Sequence, residues 1–179
     1  MHKLIGLYSP APQSGKSTVA GVLASNGYQT VPFALTLKEM LVPMLCALGY
    51  RQDEAWRLVT VEKEYKLPEV GVTVRHMMQT LGTEYGRQCI HPAVWLTCWR
   101  KRAQLHEMVV ADDCRFKNEA DLIRQLGGEI WCVIRPDACL ETKHASEGGL
   151  DKYEFDRYII NDGPLSQLTG RVQAALQIE

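Results

Sequence analysis

A short apolar run, Lys3-Leu4-Ile5-Gly6-Leu7-Tyr8, passes through Ser9-Pro10-Ala11-Pro12-Gln13-Ser14-Gly15-Lys16-Ser17-Thr18 into a helix-forming stretch. The segment Ser14-Gly15-Lys16-Ser17 is spelled like the second half of a phosphate-binding loop. In such a loop a strand-to-helix turn wraps backbone N–H groups around phosphate oxygens. The helix N-terminus adds partial positive charge. Gly15 lets the backbone approach closely, Lys16 reaches the β- and γ-phosphates, and the Ser17 hydroxyl suits Mg²⁺. Ser14 and Thr18 complete the cradle. One position departs from G-x-x-x-x-G-K-[ST]. Pro10 stands where the first glycine belongs, and Pro12 follows. Each proline removes one N–H donor. Gly6 is out of register and does not substitute.

A loop of this kind needs a strand inside a sheet and a helix packed on it. The rest of the chain supplies both. Strands are expected at 3–8, 28–33, 108–112, 129–135 and 157–161. Helices are expected at 16–26, 34–48, 52–58, 73–89, 92–105, 117–127 and 165–177. Gly27, Gly49 and Gly127-Gly128 sit where helices should stop. Apolar strands alternating with helices predict an α/β fold with a parallel sheet covered on both faces. The spacing is uneven. A crossover needs about a dozen residues, yet the largely helical stretch 34–107 separates the second strand from the third. Residues 136–156, with Pro136, Gly148 and Gly149, read as a loop over the ligand-binding sheet edge.

The 179 residues carry 20 basic and 21 acidic groups, a net charge of −1. That balance gives no reason to expect a nucleic-acid or membrane partner. No apolar run approaches the roughly 18 residues of a membrane span, and the charged start leads into a strand too short for a signal-peptide core. A cytoplasmic setting is expected. The six cysteines, at 46, 89, 98, 114, 132 and 139, show neither C-x-x-C nor zinc spacing. They read as reduced, structural thiols. His76, His91 and His106 show no ligand spacing and read as structural.

Asp112 and Asp113 end the third strand, where a carboxylate helps hold Mg²⁺ beside a phosphate loop. Either would serve. Arg75, Arg87, Arg115 and Arg135 stand where bidentate donors would meet phosphate oxygens. Arg75 and Arg87 are expected on one helix, lining a groove. Lys143 and His144 would close over ATP. Arg100-Lys101-Arg102 reads as a solvated helix face.

Several of these segments form a pattern. Arg75-His76-Met77-Met78-Gln79-Thr80-Leu81-Gly82-Thr83-Glu84-Tyr85-Gly86-Arg87, continued by Ile90-His91-Pro92-Ala93-Val94-Trp95, resembles the substrate-side motif of bacteriophage-type deoxynucleoside monophosphate kinases. Asp113-Cys114-Arg115-Phe116-Lys117-Asn118-Glu119-Ala120 resembles their D-x-R-F-x-N-E-A segment. His144-Ala145-Ser146-Glu147 and Asn161-Asp162-Gly163 resemble their lid and last-strand motifs. The resemblance implies a nucleoside-monophosphate-kinase architecture: a core of 1–33, 106–135 and 155–179, a monophosphate-binding region of 34–105, and a lid of 136–154. It implies transfer of the γ-phosphoryl group of ATP to the 5′-phosphate of a deoxynucleoside monophosphate. Lys16 and Ser17 would hold ATP and Mg²⁺, with Asp113 supporting the metal. Arg75, Thr83, Glu84 and Arg87 would contact the acceptor. Arg115 would bridge toward the transferring group, and Arg135 and Lys143 would close the lid side. Two other readings stay open: a kinase acting on a hydroxymethyl pyrimidine in phage DNA, and a non-catalytic nucleotide switch. The partner expected is a nucleotide, in host cytoplasm if the chain is phage-encoded. A homodimer stays open.

Overall fold

The computed structural model describes residues 3–138, 149–150 and 152–177. The chain divides into two compact units, residues 1–33 with 102–179, and residues 34–101.

The first unit is built on five parallel strands in the order β2-β3-β1-β4-β5. They are β1 (Lys3–Tyr8), β2 (Gln29–Thr30), β3 (Met108–Ala111), β4 (Glu129–Ile134) and β5 (Arg157–Ile160). Leu4 through Tyr8 are all buried, as a central parallel strand requires when both faces are covered. Helices α1 (Lys16–Ser25) and α7 (Leu165–Gln177) share a core with the sheet. Its members include Leu7, Val19, Leu23, Val110, Trp131 and Val172. Helix α6 (Lys117–Gln125) packs on β1 and β4. A Cβ at Gly6 would lie 2.7 Å from Ile123 Cδ1 and 2.8 Å from Ile130 Cδ1. Gly6 therefore serves packing, by letting α6 sit directly on the strand.

The expected strand at 28–33 shrinks to Gln29–Thr30. Val31 still donates to Val110 O at 2.9 Å, but Pro32 has no N–H with which to continue the ladder.

The second unit is helical: α2 (Leu35–Ala47), α3 (Gln52–Thr60), α4 (Val74–Thr80), a π-helix (Leu81–Ile90) and most of α5 (Val94–Ala103). Leu41, Leu45, Leu58, Val59, Leu67, Val74 and Trp95 belong to its own core. Thr73 caps α4 by accepting from His76 N at 3.1 Å. The sequence pattern predicts one helix over 73–89. The structure divides it, because from Leu81 the backbone takes the wider π register.

Candidate active site

All five strands run in one direction, so their carboxyl ends lie along one edge of the sheet. Ligands of open α/β sheets bind outside this edge. The loop 9–15 leaves it after β1, Asp112 after β3, Arg135 after β4 and Asn161 after β5. Gly6 pairs with Ala111, so the loop 9–15 and the aspartate pair leave adjacent strands.

The loop reaches helix α1 through two left-handed residues, Gln13 at φ 56° and Gly15 at φ 97°. Val19 N donates to Gly15 O at 3.0 Å, closing the first turn. No acidic side chain stands in that first turn. Lys16 and Thr18 are partly exposed and Ser17 is exposed.

Internal hydroxyls hold the two-proline loop together. Ser14 Oγ lies 2.5 Å from Ala11 O and Ser9 Oγ 2.8 Å from the same carbonyl, and the two hydroxyls touch each other. Ala11 N donates to Ser9 Oγ at 3.3 Å. The Ser14 side chain is thus buried inside the loop. Asn161 braces the loop from β5: its Nδ2 donates to Ser14 O at 3.0 Å. A Cβ at Gly15 would meet that amide at 2.6 Å. Glycine at 15 is therefore required twice, by its φ and by the closeness of Asn161.

The two aspartates differ. Asp113 Oδ1 accepts from Phe33 N at 2.7 Å. Asp112 Oδ1 is buried and accepts no hydrogen bond from the described residues. Between the pair and Arg115 lies Cys114, 1 % exposed. Burial pushes its thiol well up, and Glu119 and Asp113 add to the shift. It is a packed hydrophobe, not a nucleophile.

Arg115 is exposed, and its backbone is fixed. Glu119, 5 % exposed, accepts from Arg115 N at 2.8 Å and Phe116 N at 3.1 Å. This caps α6 and sets the direction of the chain at Arg115. A Cβ at Gly149 would lie 2.7 Å from Arg115 O, so the chain passes close on the other side. Arg135 is exposed at the end of β4.

In the helical unit Arg75 forms an exposed ion pair with Glu64. Thr83 and Glu84 are exposed and Arg87 is partly buried, all on the π-helix. Arg75 and Arg87 thus stand on the α and the π part of one continuous helical run, 74–90. His91 accepts from Ala93 N through Nδ1 at 3.1 Å, a structural use. Lys143, the motif at 144–147 and Cys139 lie outside the described residues. Cys114 and Cys132 are buried thiols, but Cys89 is exposed. Among the described residues no cluster of three His, Cys, Asp or Glu forms a metal cage. No helix there is long and apolar enough to cross a membrane.

The sequence pattern assigns no role to Glu119, Asn161 or Trp95. Asn161 reaches back 147 positions to Ser14 and Trp95 thirteen to Gly82, whereas Glu119 acts within its own turn. The only local signal is Glu119 at the third position of α6, where capping acids occur.

Known proteins share this fold. The structure resembles TT1252 from Thermus thermophilus, with a TM-score of 0.53, 17% identity and 98% and 97% of the two chains covered. It also resembles dephospho-CoA kinase from Campylobacter jejuni, with a TM-score of 0.51, 14% identity and 98% and 96% covered. These likenesses concern the fold. In sequence, a putative deoxynucleotide monophosphate kinase of Acanthamoeba polyphaga mimivirus is 27% identical, over 94% of this chain and 93% of its own. The deoxynucleoside-5′-monophosphate kinase of Escherichia phage T5 is 34% identical over 59% of this chain, which spans 46% of that relative's length. The family model for deoxynucleotide monophosphate kinase matches residues 48–172, from the helical unit through most of α7. The chain therefore belongs to the deoxynucleotide monophosphate kinase family, a family of phosphotransferases.

Proposed function

We propose that the protein transfers the γ-phosphoryl group of ATP to the 5′-phosphate of deoxynucleoside monophosphates, giving diphosphates. The observation that carries this reading is a Gly-Lys-Ser loop opening α1 beside the aspartates of β3, in a chain of this family. Lys16 would hold the β- and γ-phosphates, with the backbone N–H groups of 14–18 cradling them. Gly15 and Thr18 would serve that cradle.

The donors present fit Mg²⁺: a serine hydroxyl at the helix start and carboxylates at the neighbouring strand end are hard oxygen ligands. Ser17 would hold the ion, supported by Asp113 or its neighbour Asp112. Bound there, Mg²⁺ would neutralise charge on the phosphate oxygens.

The chain's own groups would do the positioning that phosphoryl transfer mostly requires. Arg115, its backbone fixed by Glu119, would stabilise charge on the group in flight. Arg135 and Lys143 would bind the donor nucleotide. Arg75, Thr83, Glu84 and Arg87 would orient the acceptor, which requires Arg75 to leave Glu64. That exposed pair is a small obstacle, since exposed ion pairs contribute about 0–1 kcal/mol.

A coupled ADP-release assay tests the proposal. ATP and Mg²⁺ are supplied with each deoxynucleoside monophosphate in turn, then with hydroxymethyluracil-containing DNA. Release stimulated by a monophosphate supports the reading. Release only with the modified DNA replaces it with a DNA-directed kinase. Silence with every acceptor overturns it.

A further inference from the structure

We infer that Trp95 is a positioning residue for the acceptor nucleotide, acting through the π-helix that carries Thr83, Glu84 and Arg87. The inference rests on the kinase reading above.

A ten-residue π-helix is unusual, because i→i+5 turns occur mostly as single-turn bulges, often at functional sites. Something outside the helix must select this register over the α register that α4 uses. The structure assigns that task to one side chain. Trp95, 7 % exposed at the start of α5, donates from Nε1 to Gly82 O at 2.8 Å. Its indole lies on the backbone of the π-helix at Gly86, where a Cβ would come within 2.6 Å of both Cε2 and Nε1. Gly82 is closed from another side, where a Cβ would meet Leu37 Cδ1 at 2.9 Å. Both glycines are buried, and only glycine allows a ring to approach a helix so closely.

The consequence falls on their neighbours. Thr83 and Arg87 each follow one of these glycines, at the same four-residue spacing. A return to i→i+4 bonding would turn each later residue about the helix axis relative to the earlier ones, and Arg87 would shift against Thr83. The indole touches backbone, so its influence on an acceptor is indirect.

The test is steady-state kinetics on the full chain with ATP, Mg²⁺ and each of the four deoxynucleoside monophosphates. Trp95→Phe keeps a ring and removes the N–H. Gly86→Ala pushes the same ring from the other side. Trp56→Phe, a partly buried residue of the same core, controls for lost packing. The expected result is a KM for the acceptor raised roughly tenfold in the first two variants, the scale of one lost neutral hydrogen bond. The KM for ATP stays within about twofold, and Trp56→Phe changes neither. Hydrogen exchange at the amides of 86–91 speeds up in Trp95→Phe, while that of α3 holds. If Trp95→Phe does not fold, Gly86→Ala carries the test. Wild-type turnover with an unchanged acceptor KM in the folded variants overturns this inference alone, as does an equal rise in both KM values. Absence of wild-type turnover with all four acceptors overturns the kinase reading and this inference with it.

Discussion

Phe33 donates its backbone N–H to Asp113 Oδ1 at 2.7 Å, so the second aspartate of the β3 pair anchors the residue that precedes the helical unit in sequence. Asp113 then has a structural task alongside its proposed metal role, and two substitutions separate them. Asp113→Ala leaves a backbone donor unmatched and should cost about 1–3 kcal/mol of stability. Asp113→Asn keeps an acceptor oxygen, so its Tm should stay close to wild type while its demand for Mg²⁺ rises. Thermal unfolding and Mg²⁺ titration of turnover measure the two effects. Normal turnover of Asp113→Asn at low Mg²⁺ would remove Asp113 from the metal set, and Asp112→Asn in the same assay would show whether its neighbour holds the ion.

Lys16→Ala should abolish phosphoryl transfer and leave the fold intact, since this side chain is partly exposed at the start of α1. Circular dichroism checks the fold and the coupled assay checks the chemistry. Turnover at the wild-type rate would sink the phosphate-loop assignment.

Asn161→Ala should act on the donor nucleotide alone. It removes the brace on Ser14 O and opens space over Gly15. The KM for ATP should rise roughly tenfold, the equivalent of one hydrogen bond, with the acceptor KM unchanged. Equal changes in both would point to general loosening of the fold.

Arg87→Ala should mainly damage use of the acceptor. Loss of a charged donor at the reacting groups would cost roughly 2–4 kcal/mol. An unchanged acceptor dependence would take Arg87 out of the site.

The fold should also carry a specific acid sensitivity. Burial tends to raise the Glu129 carboxyl, but donation from Arg157 and from the Trp131 indole outweighs it and holds the group below its ordinary 4.5. A folded-state pKa below the unfolded one stabilises fully above the unfolded value, and the stabilisation is lost as pH falls through the folded value. Thermal midpoints from pH 7 to pH 3 should therefore drop more steeply in wild type than in Glu129→Gln. The difference should be modest, because the Glu129 side chain is 42% exposed and solvent screens the pair. Parallel curves would exclude Glu129 from the acid limb.

The sheet and the strand-to-helix turn at 9–15 were legible in the sequence because their signals are local. Apolar runs mark β1, β3 and β4, and Gly-Lys-Ser follows β1 after one short loop. What escaped prediction depends on how the chain folds back on itself, which residue types and apolar spacing do not encode. Nothing near Ser14 announces that its hydroxyl turns inward, because that follows from Ala11 and Ser9 folding back on it. The π register was hidden for the same reason. Apolar spacing does not separate i→i+4 from i→i+5 bonding, and the indole at Gly82 comes from thirteen residues away. Pro32 was visible, and its effect in ending β2 early follows from its missing N–H.

The contact between Asn161 and the Ser14 carbonyl spans 147 positions of chain. A ribosome that has released only the first 150 residues has made every atom of the loop 9–15 and none of its brace. Synthesis runs at about 5–20 residues per second, and contacts of long sequence separation form late. The nascent chain would therefore hold a loose loop for seconds before β5 arrives. If the loop binds nucleotide as proposed, nucleotide present at that moment would favour the braced form by mass action. For this fold, substrate abundance would thus act on the yield of finished enzyme as well as on its rate.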